Sequence, residues 1–374
     1  MNQHKISHSL LRILLYTVSF LISISIGYGV AAALMQIQSG ALQTLPFLIC
    51  LLVSLCIQSC VHTVGHWLFG RISGFRLLAI SFLRHSHVKE QNRFVTRQPL
   101  PESLLTTCLM APIKPSSQTS YTFYWLGGSI LNLMIGLISL MLMVLLRFSL
   151  DSWSGCFCFS LFQSGLWFAV LNGLPLYHGG LPNDGMKAVL FSRFPNQQKS
   201  WTTSLQIMQQ LSQGHSSINE IPDAWLIPDQ SARIDLFASM LLLHQYEVLV
   251  WKRQFNSAQK ALLPLYENIA SFPDEWQIRI WQECVYILSI TSRDLSLADK
   301  MMPPDRVKHY EDMRCAEAYR CLWAWAFFVK KDAQSASSYL QSANQALSRT
   351  PFRYAADAWR RQLRLLAERG GVCQ

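Results

Sequence analysis

The chain has 374 residues, of which 51% are hydrophobic and only 14% are charged, and its formal net charge is +10. A soluble domain has about 25% charged residues, so this is not the composition of an ordinary soluble protein. The basic excess does not indicate nucleic-acid binding, because no zinc finger, glycine-rich phosphate loop or aromatic-basic motif accompanies it. The ten cysteines include no C-x-x-C pair, which argues against a thiol redox motif or a structural zinc knot.

The first half of the chain contains long stretches without Asp, Glu, Lys or Arg, at residues 13–70, 115–146 and 152–183. A helix needs about 20 apolar residues to cross a bilayer. These stretches predict about four membrane spans, at approximately residues 10–35, 45–69, 121–146 and 156–176. Most of the charge follows residue 184, so we expect a membrane half and a water-soluble half.

The loop between the second and third spans, residues 71–114, is strongly basic. It has seven basic residues against Glu90 and Glu102, and the positive-inside rule therefore places it in the cytoplasm. Both termini are then expected to be cytoplasmic, in a multi-pass protein of the cell membrane. Residues 75–83 are rich in β-forming side chains, and residues 93–96 could pair with them in a small β hairpin.

The fourth span runs into a segment broken by proline and glycine, residues 172–185. Irregular backbone at membrane depth is tolerated only where it is buried in protein or lines a wet cavity. Further on, helical patterns come in pairs, at about residues 231–252, 255–270, 275–292, 312–330, 333–348 and 352–369. The predicted fold is mainly α: a membrane helix bundle (1–195), a linker (196–230) and a cytoplasmic, tetratricopeptide-like helical-repeat domain (231–374).

His62 and His66 lie near the end of the second predicted span. Four residues apart on a helix, they project from one face, as do the two helix-borne ligands of an H-E-x-x-H zinc site. Asp184 is the predicted third ligand, because it is the carboxylate of the broken segment and zinc accepts carboxylate oxygens. The pattern thus predicts one zinc ion. On their own, the two histidines would more often be hydrogen-bonded polar residues inside a bundle.

Other polar residues of these segments have both a functional and a structural interpretation. Asn172 and Pro175 could shape a bound peptide, with the Asn172 amide donating to a substrate carbonyl. Asn172 could equally cap the broken end of the helix. His85 and His87 form an H-x-H that could bind a metal, although a solvated loop is the expectation.

This combination resembles the site-2 protease family of intramembrane zinc metalloproteases, which pair H-E-x-x-H on one span with N-x-x-P and D-G on a later one. It is most similar to a branch from Gram-positive bacteria. The matching residues are His62 and His66, Phe69-Gly70, Ser73-Gly74-Phe75, Cys108 to Pro112, Tyr124 to Leu133, Asn172 and Pro175, and Asn183-Asp184-Gly185. The resemblance covers nearly the whole chain. It implies zinc ligands at His62, His66 and Asp184 and a cytoplasmic helical-repeat tail.

The resemblance places the general base at residue 63, where this chain has Thr63 instead of glutamate. A positioned base contributes typically about 10²–10⁴-fold to the rate, and a threonine hydroxyl can orient water but cannot hold its proton. His178 is a candidate substitute base, and Glu90 or Glu102 could fold back from the loop. Loss of efficient hydrolysis is the favoured expectation. The structural alternatives are that Thr63 bonds back to the preceding turn and that His178 is a loop residue.

Three functions follow as hypotheses. The first is a zinc-dependent intramembrane endopeptidase acting on a membrane-spanning or small hydrophobic peptide. The second is a catalytically inactive protease-like protein that binds a peptide or a membrane partner. The third is a structural protein whose helical tail docks a cytoplasmic protein while the membrane half serves as an anchor.

Overall fold

A computed structural model describes residues 44–82, 85–90, 93–97, 106–113, 121–150, 152–178, 180–213, 221–226, 234–291, 294–348 and 353–369. The chain forms two compact units. The first unit comprises residues 1–77 and 103–194, and the second comprises residues 78–102 and 195–374. The first predicted span, at about residues 10–35, lies outside the described residues.

Three long apolar helices form the framework of the first unit: α1 (Thr44–Ile72), α2 (Tyr121–Leu145) and α3 (Trp153–Gly173). Each is long and apolar enough to span a membrane, as expected for the three predicted spans that fall within the described residues. The start of α3 is fixed by Ser152, whose side chain accepts a hydrogen bond from the backbone N–H of Gly155. This is the usual role of serine at a helix N-cap.

The three helices pack against one another along faces of small and polar residues. On α2, the buried face includes Gly127, Gly128, Ser129, Asn132 and Gly136. Many large apolar side chains are exposed on the outside of the bundle, as Leu52, Leu137 and Met141 are. This inside-out arrangement suits a bilayer, where lipid covers the apolar faces and small residues let helices approach closely.

The segment after α3 returns the chain to the bundle through a tight turn. Two short antiparallel strands, β5 (Tyr177–His178) and β6 (Leu181–Pro182), precede α4 (Asp184–Arg193). The predicted break at the end of the span is therefore present. It places Asp184 at the first position of α4, packed beside the other helices of the same unit.

A four-stranded sheet follows α1 in the chain. It is formed by β1 (Phe75–Phe82), β2 (His85–Glu90), β3 (Arg93–Arg97) and β4 (Thr106–Pro112), in the order β3-β2-β1-β4. The predicted pairing of residues 75–83 with 93–96 is wrong, because β2 lies between them: Ile80 pairs with His87, and His87 with Thr96. β2 has the sequence HSHVKE, in which Val88 is the one aliphatic residue, so no apolar alternation signalled a strand.

The second unit is otherwise helical. Its helices are α5 (Pro195–Gln213), α6 (Asp223–Leu226), α7 (Leu236–Trp251), α8 (Phe255–Glu267), α9 (Asp274–Thr291), α10 (Leu295–Lys300), α11 (Pro304–Met313), α12 (Ala316–Ala324), α13 (Ala333–Leu347) and α14 (Arg353–Arg369). A 3-10 turn (Ile269–Ser271) and a π-helical segment (Trp325–Lys330) complete it. The six helical patterns predicted after residue 230 are present, and their repeat character remains a prediction. The segment predicted as a linker, 196–230, contains α5 and α6.

The second unit encloses a buried ion pair within its hydrophobic core. Glu283 on α9 contacts Arg320 on α12, and both side chains are almost completely buried. Arg320 also lies over the rings of Tyr286 and Trp359. Arg279, whose side chain is one-quarter exposed, forms a second ion pair with Glu283, with Nη2 3.2 Å from Oε1. Burial of this pair is tolerated because each charge has partners of opposite sign or aromatic faces.

Candidate metal centre

The two histidines of α1 and the first residue of α4 converge on one point. The Nε2 atoms of His62 and His66 are 3.0 Å apart, and each lies 3.1 Å from Oδ2 of Asp184. Ligand atoms about 2.0–2.1 Å from a tetrahedral zinc ion lie roughly 3.3 Å from one another. The three atoms therefore form a nearly equilateral triangle of the size that one ion requires. The structure brings all three predicted ligands together.

Helix geometry explains the histidine half of this triangle. Residues four apart on α1 lie one above the other, and the two imidazole rings meet edge to face, with centroids 4.6 Å apart. Space for the His62 ring is made by Gly128 on α2, because a methyl group at that position would collide with the imidazole. The close approach of α1 and α2 therefore depends on glycine at this position.

The far nitrogen of each ring is fixed by a hydrogen-bond acceptor. Nδ1 of His62 lies 2.8 Å from Oδ1 of Asn132, and Nδ1 of His66 lies 2.8 Å from the backbone oxygen of Tyr124. The amide orientation of Asn132 is set by Gln58, to whose backbone oxygen and Oε1 it donates at 2.7 and 2.6 Å. Both Nδ1 atoms are thus donors, and both Nε2 lone pairs face Asp184.

The three ligand atoms do not have enough hydrogens between them to form hydrogen bonds with one another. With both rings neutral and both protons on Nδ1, three electron-pair donors meet at about 3 Å with nothing to bridge them. A cation at their centre resolves the conflict, and a hydrogen-bond acceptor for the other ring nitrogen is the usual support of a metal-binding histidine. The residues present therefore fit a divalent metal ion.

Asp184 is held in place by the residue before it. The Oδ1 atom of Asn183 accepts hydrogen bonds from the backbone N–H groups of Met186 and Leu176, at 2.9 and 3.1 Å. Its Nδ2 donates to the carbonyls of Leu171 and Leu174, at 2.8 and 2.6 Å. One side chain thus ties the end of α3 to the start of α4.

A close backbone contact completes this junction. A methyl group at Gly185 would collide with the carbonyl of Gly173, so α4 can start this close to the end of α3 only with glycine there.

The electrostatics favour an anionic carboxylate at the centre. Burial alone would raise the pKa of Asp184, but its contacts with His66 and His62 and the charge of Lys187 outweigh burial. The pKa of Asp184 consequently lies well below its ordinary value. An anion next to two imidazole nitrogens is the form that binds cations.

Thr63 adds no acidic or basic group to this centre. It is buried, and its Oγ1 donates a hydrogen bond of 3.2 Å to the backbone oxygen of Ser59, one turn earlier. The structural alternative foreseen for this residue, a bond back to the preceding turn, is therefore observed. The position that carries glutamate in the resembling family is occupied here by a hydroxyl already used within α1.

The remaining predicted site residues lie on the segment between α3 and α4. The Asn172 amide donates to the backbone oxygen of Phe168 within α3, at 3.0 Å, and Pro175 is exposed. The backbone of His178 pairs with Leu181, and the His178 side chain lies outside the described part of the structure. Asn172 thus bonds back within its own helix and not to the predicted metal ligands.

Predictions on the basic loop have mixed outcomes. His85 and His87 are exposed on β2 and not in a loop, and His87 lies 3.2 Å from Thr96. The side chain of Glu90, and Glu102 as a whole, fall outside the described residues. Within the described residues, His62, His66 and Asp184 form the one group of three His, Cys, Asp or Glu side chains placed to share an ion.

Sequence reasoning did not identify four supporting residues: Gln58, Asn132, Asn183 and Lys187. Gln58 precedes His62 by four residues, so the sequence does place Gln58, His62 and His66 on one face of α1. Asn183 stands directly before a helix start, which is a typical N-cap position.

Comparison with protein-family models, curated proteins and solved structures finds no significant match to this chain.

Proposed function

We propose that this chain is a site-2-protease-like zinc metallopeptidase homologue of the membrane that handles a membrane-spanning or small hydrophobic peptide, and that it hydrolyses peptides poorly. The observation that carries the proposal is the triangle of His62 Nε2, His66 Nε2 and Asp184 Oδ2, beside helices long enough to span a bilayer. Two histidines and a carboxylate are the ligand set of many catalytic zinc sites.

When bound in such a site, zinc polarises a peptide carbonyl and lowers the pKa of water. His62, His66 and Asp184 would hold the ion, and Asn132 and the Tyr124 carbonyl orient Nδ1 of both imidazoles, which would leave each Nε2 free to bind it. Nothing at residue 63 accepts a proton. Cleavage is therefore expected to be slower by about 10²–10⁴-fold than with a glutamate there.

The chain is further proposed to lie in the cell membrane with both termini in the cytoplasm. The support is the basic loop, residues 71–114, between α1 and α2, since such loops remain on the cytoplasmic side. The helices of the second unit would then be available to a cytoplasmic protein partner.

Metal content is the first test. The purified full-length chain in detergent is expected to contain about one zinc per chain by elemental analysis, and the double variant His62→Ala/His66→Ala is expected to contain none. The same measurement separates zinc from Fe²⁺, which two histidines and one carboxylate can also bind. Equal metal content in both proteins would show that the triangle is not the binding site.

A second candidate function, peptide binding without cleavage, is favoured by the hydrogen bond from Thr63 Oγ1 to Ser59. Thr63→Glu separates it from slow hydrolysis. Cleavage of a hydrophobic membrane peptide by the Thr63→Glu variant alone supports a protein that binds without cutting. Strong cleavage by the natural chain, lost in His178→Ala, would instead support a substitute base at His178.

A further inference from the structure

One charged side chain beside the triangle has no role in the function proposed above. Lys187 lies one turn after Asp184 on α4, and its Nζ is 4.0 Å from Oδ1 of Asp184. Its side chain is three-quarters buried, with a relative exposure of 24%. A lysine that is mostly buried needs a partner for its charge, and the described contacts of Lys187 are with residues of this site.

The two oxygens of Asp184 face different partners. Oδ2 lies 3.1 Å from the Nε2 atoms of both His62 and His66, whereas Oδ1 is the oxygen nearest to Lys187. The two carboxylate oxygens therefore have different surroundings: Oδ2 belongs to the triangle of ligand atoms, and Oδ1 lies on the side of the ammonium group.

The ammonium group is itself held in position. Lys187 Nζ lies 4.4 Å from the ring centroid of Trp125, at a distance typical of a cation–π contact. Trp125 is buried on α2, where it packs against Phe191 of α4 and His66 of α1, with centroid distances of 6.0 and 6.4 Å. The lysine thus has an aromatic face on one side and a carboxylate on the other.

We propose that Lys187 is a positioning residue that engages Oδ1 of Asp184, so that the carboxylate offers a metal ion a single oxygen, Oδ2. A carboxylate can bind a cation through one or both oxygens. A positive charge beside the second oxygen disfavours a second cation there and therefore favours binding through the first oxygen alone. With Asp184 restricted in this way, the protein supplies three donor atoms in total. A further coordination position stays open for a peptide carbonyl or water, as in catalytic but not structural zinc sites.

The role of Lys187 rests on the proposed metal centre, so the experiment must distinguish failure of the one from failure of the other. The full-length chain in detergent is stripped of metal and titrated with Co²⁺, whose visible absorption is intense in a four-coordinate site and weaker in a five-coordinate site. Lys187→Met removes the ammonium while keeping a long apolar side chain. Lys187→Arg keeps a cation, and Lys260→Met serves as the matched control, since Lys260 is an exposed lysine on α8.

Wild type, Lys187→Arg and Lys260→Met are expected to share the intense four-coordinate spectrum. Lys187→Met is expected to lose intensity as Asp184 engages the ion through both oxygens. If wild type and Lys187→Met bind Co²⁺ with the same spectrum, or if Lys187→Arg behaves like Lys187→Met, the role of Lys187 is refuted while the metal centre stands.

A wild-type chain that takes up no Co²⁺ refutes the metal centre itself, and with it the role of Lys187. Far-UV circular dichroism checks that each variant is folded. If Lys187→Met is not, Lys187→Gln gives the same comparison, because an uncharged amide cannot replace the ion pair.

Discussion

His62 Nδ1 lies 2.8 Å from Asn132 Oδ1, and this bond joins two helices across 70 residues of sequence. The bonds from Asn132 Nδ2 to Gln58 orient the amide so that its oxygen, which can only accept, faces His62. The tautomer of His62, and hence the direction of its ligating lone pair, is therefore determined by a residue that is not a metal ligand.

Asn132→Ala is expected to weaken zinc binding by about 10–100-fold, the usual cost of losing a residue that hydrogen-bonds to a metal ligand. Competition with a chelator of known affinity measures this loss. Asn132→Asp retains an acceptor for His62 Nδ1 and should bind zinc more tightly than the alanine variant. Equal affinities of the alanine variant and wild type would mean that His62 is oriented without Asn132.

Gly128→Ala is expected to disturb both the metal centre and the helix packing, because the added methyl group collides with the His62 ring. Overpacking of this kind costs about 1–3 kcal/mol, so the thermal midpoint in detergent and the zinc content should both fall. Gly173→Ala is the matched control, since a methyl group there makes only ordinary contacts with Ser129. A normal zinc content in Gly128→Ala would contradict the close approach of α1 and α2.

Asn183→Ala is expected to displace Asp184, because it removes the hydrogen bonds that tie α3 to α4. Loss of an N-cap alone costs about 1 kcal/mol, and loss of zinc affinity is expected in addition. Asn183→Asp separates the two contributions. It keeps the acceptor for the N–H groups of Met186 and Leu176 but cannot donate to Leu171 and Leu174. Zinc affinity unchanged in both variants would show that Asp184 is positioned by other contacts.

Glu283→Gln is expected to destabilise the second unit while leaving zinc binding intact. It leaves Arg320 buried without its carboxylate partner, and breaking a buried pair costs roughly 3–5 kcal/mol. The double variant Glu283→Met/Arg320→Met should recover much of this loss, because it buries no unpaired charge. Thermal unfolding of the full chain, followed alongside zinc content, measures both effects. A double variant as unstable as Glu283→Gln would contradict the prediction.

The three long apolar helices and the grouping of His62, His66 and Asp184 could be predicted from the sequence, because their signals lie in short segments. An uncharged stretch of about 20 residues predicts a span, and the four-residue spacing of His62 and His66 predicts a shared face. Asp184 was identifiable because few carboxylates occur in this part of the chain.

The supporting residues and the strand order could not be predicted, since they depend on contacts between distant segments. Asn132 and His62 are far apart in the sequence, as are Lys187 and Trp125, so no residue spacing indicates that they are in contact. Strand β2 was missed for a different reason. Its inward-facing side chains are Ser86 and Val88, so it lacks the apolar alternation by which strands are recognised.

The two histidines differ in how mutation can reach their orientation. Nδ1 of His66 donates to the main-chain oxygen of Tyr124, and that oxygen is present whichever amino acid is encoded at position 124. The corresponding acceptor for His62 is a side chain, which a single codon change can abolish. The orientation of His66 therefore depends on the helix backbone, whereas the orientation of His62 depends on the identity of one other residue. Random mutation is expected to disturb the orientation of His62 more readily than that of His66.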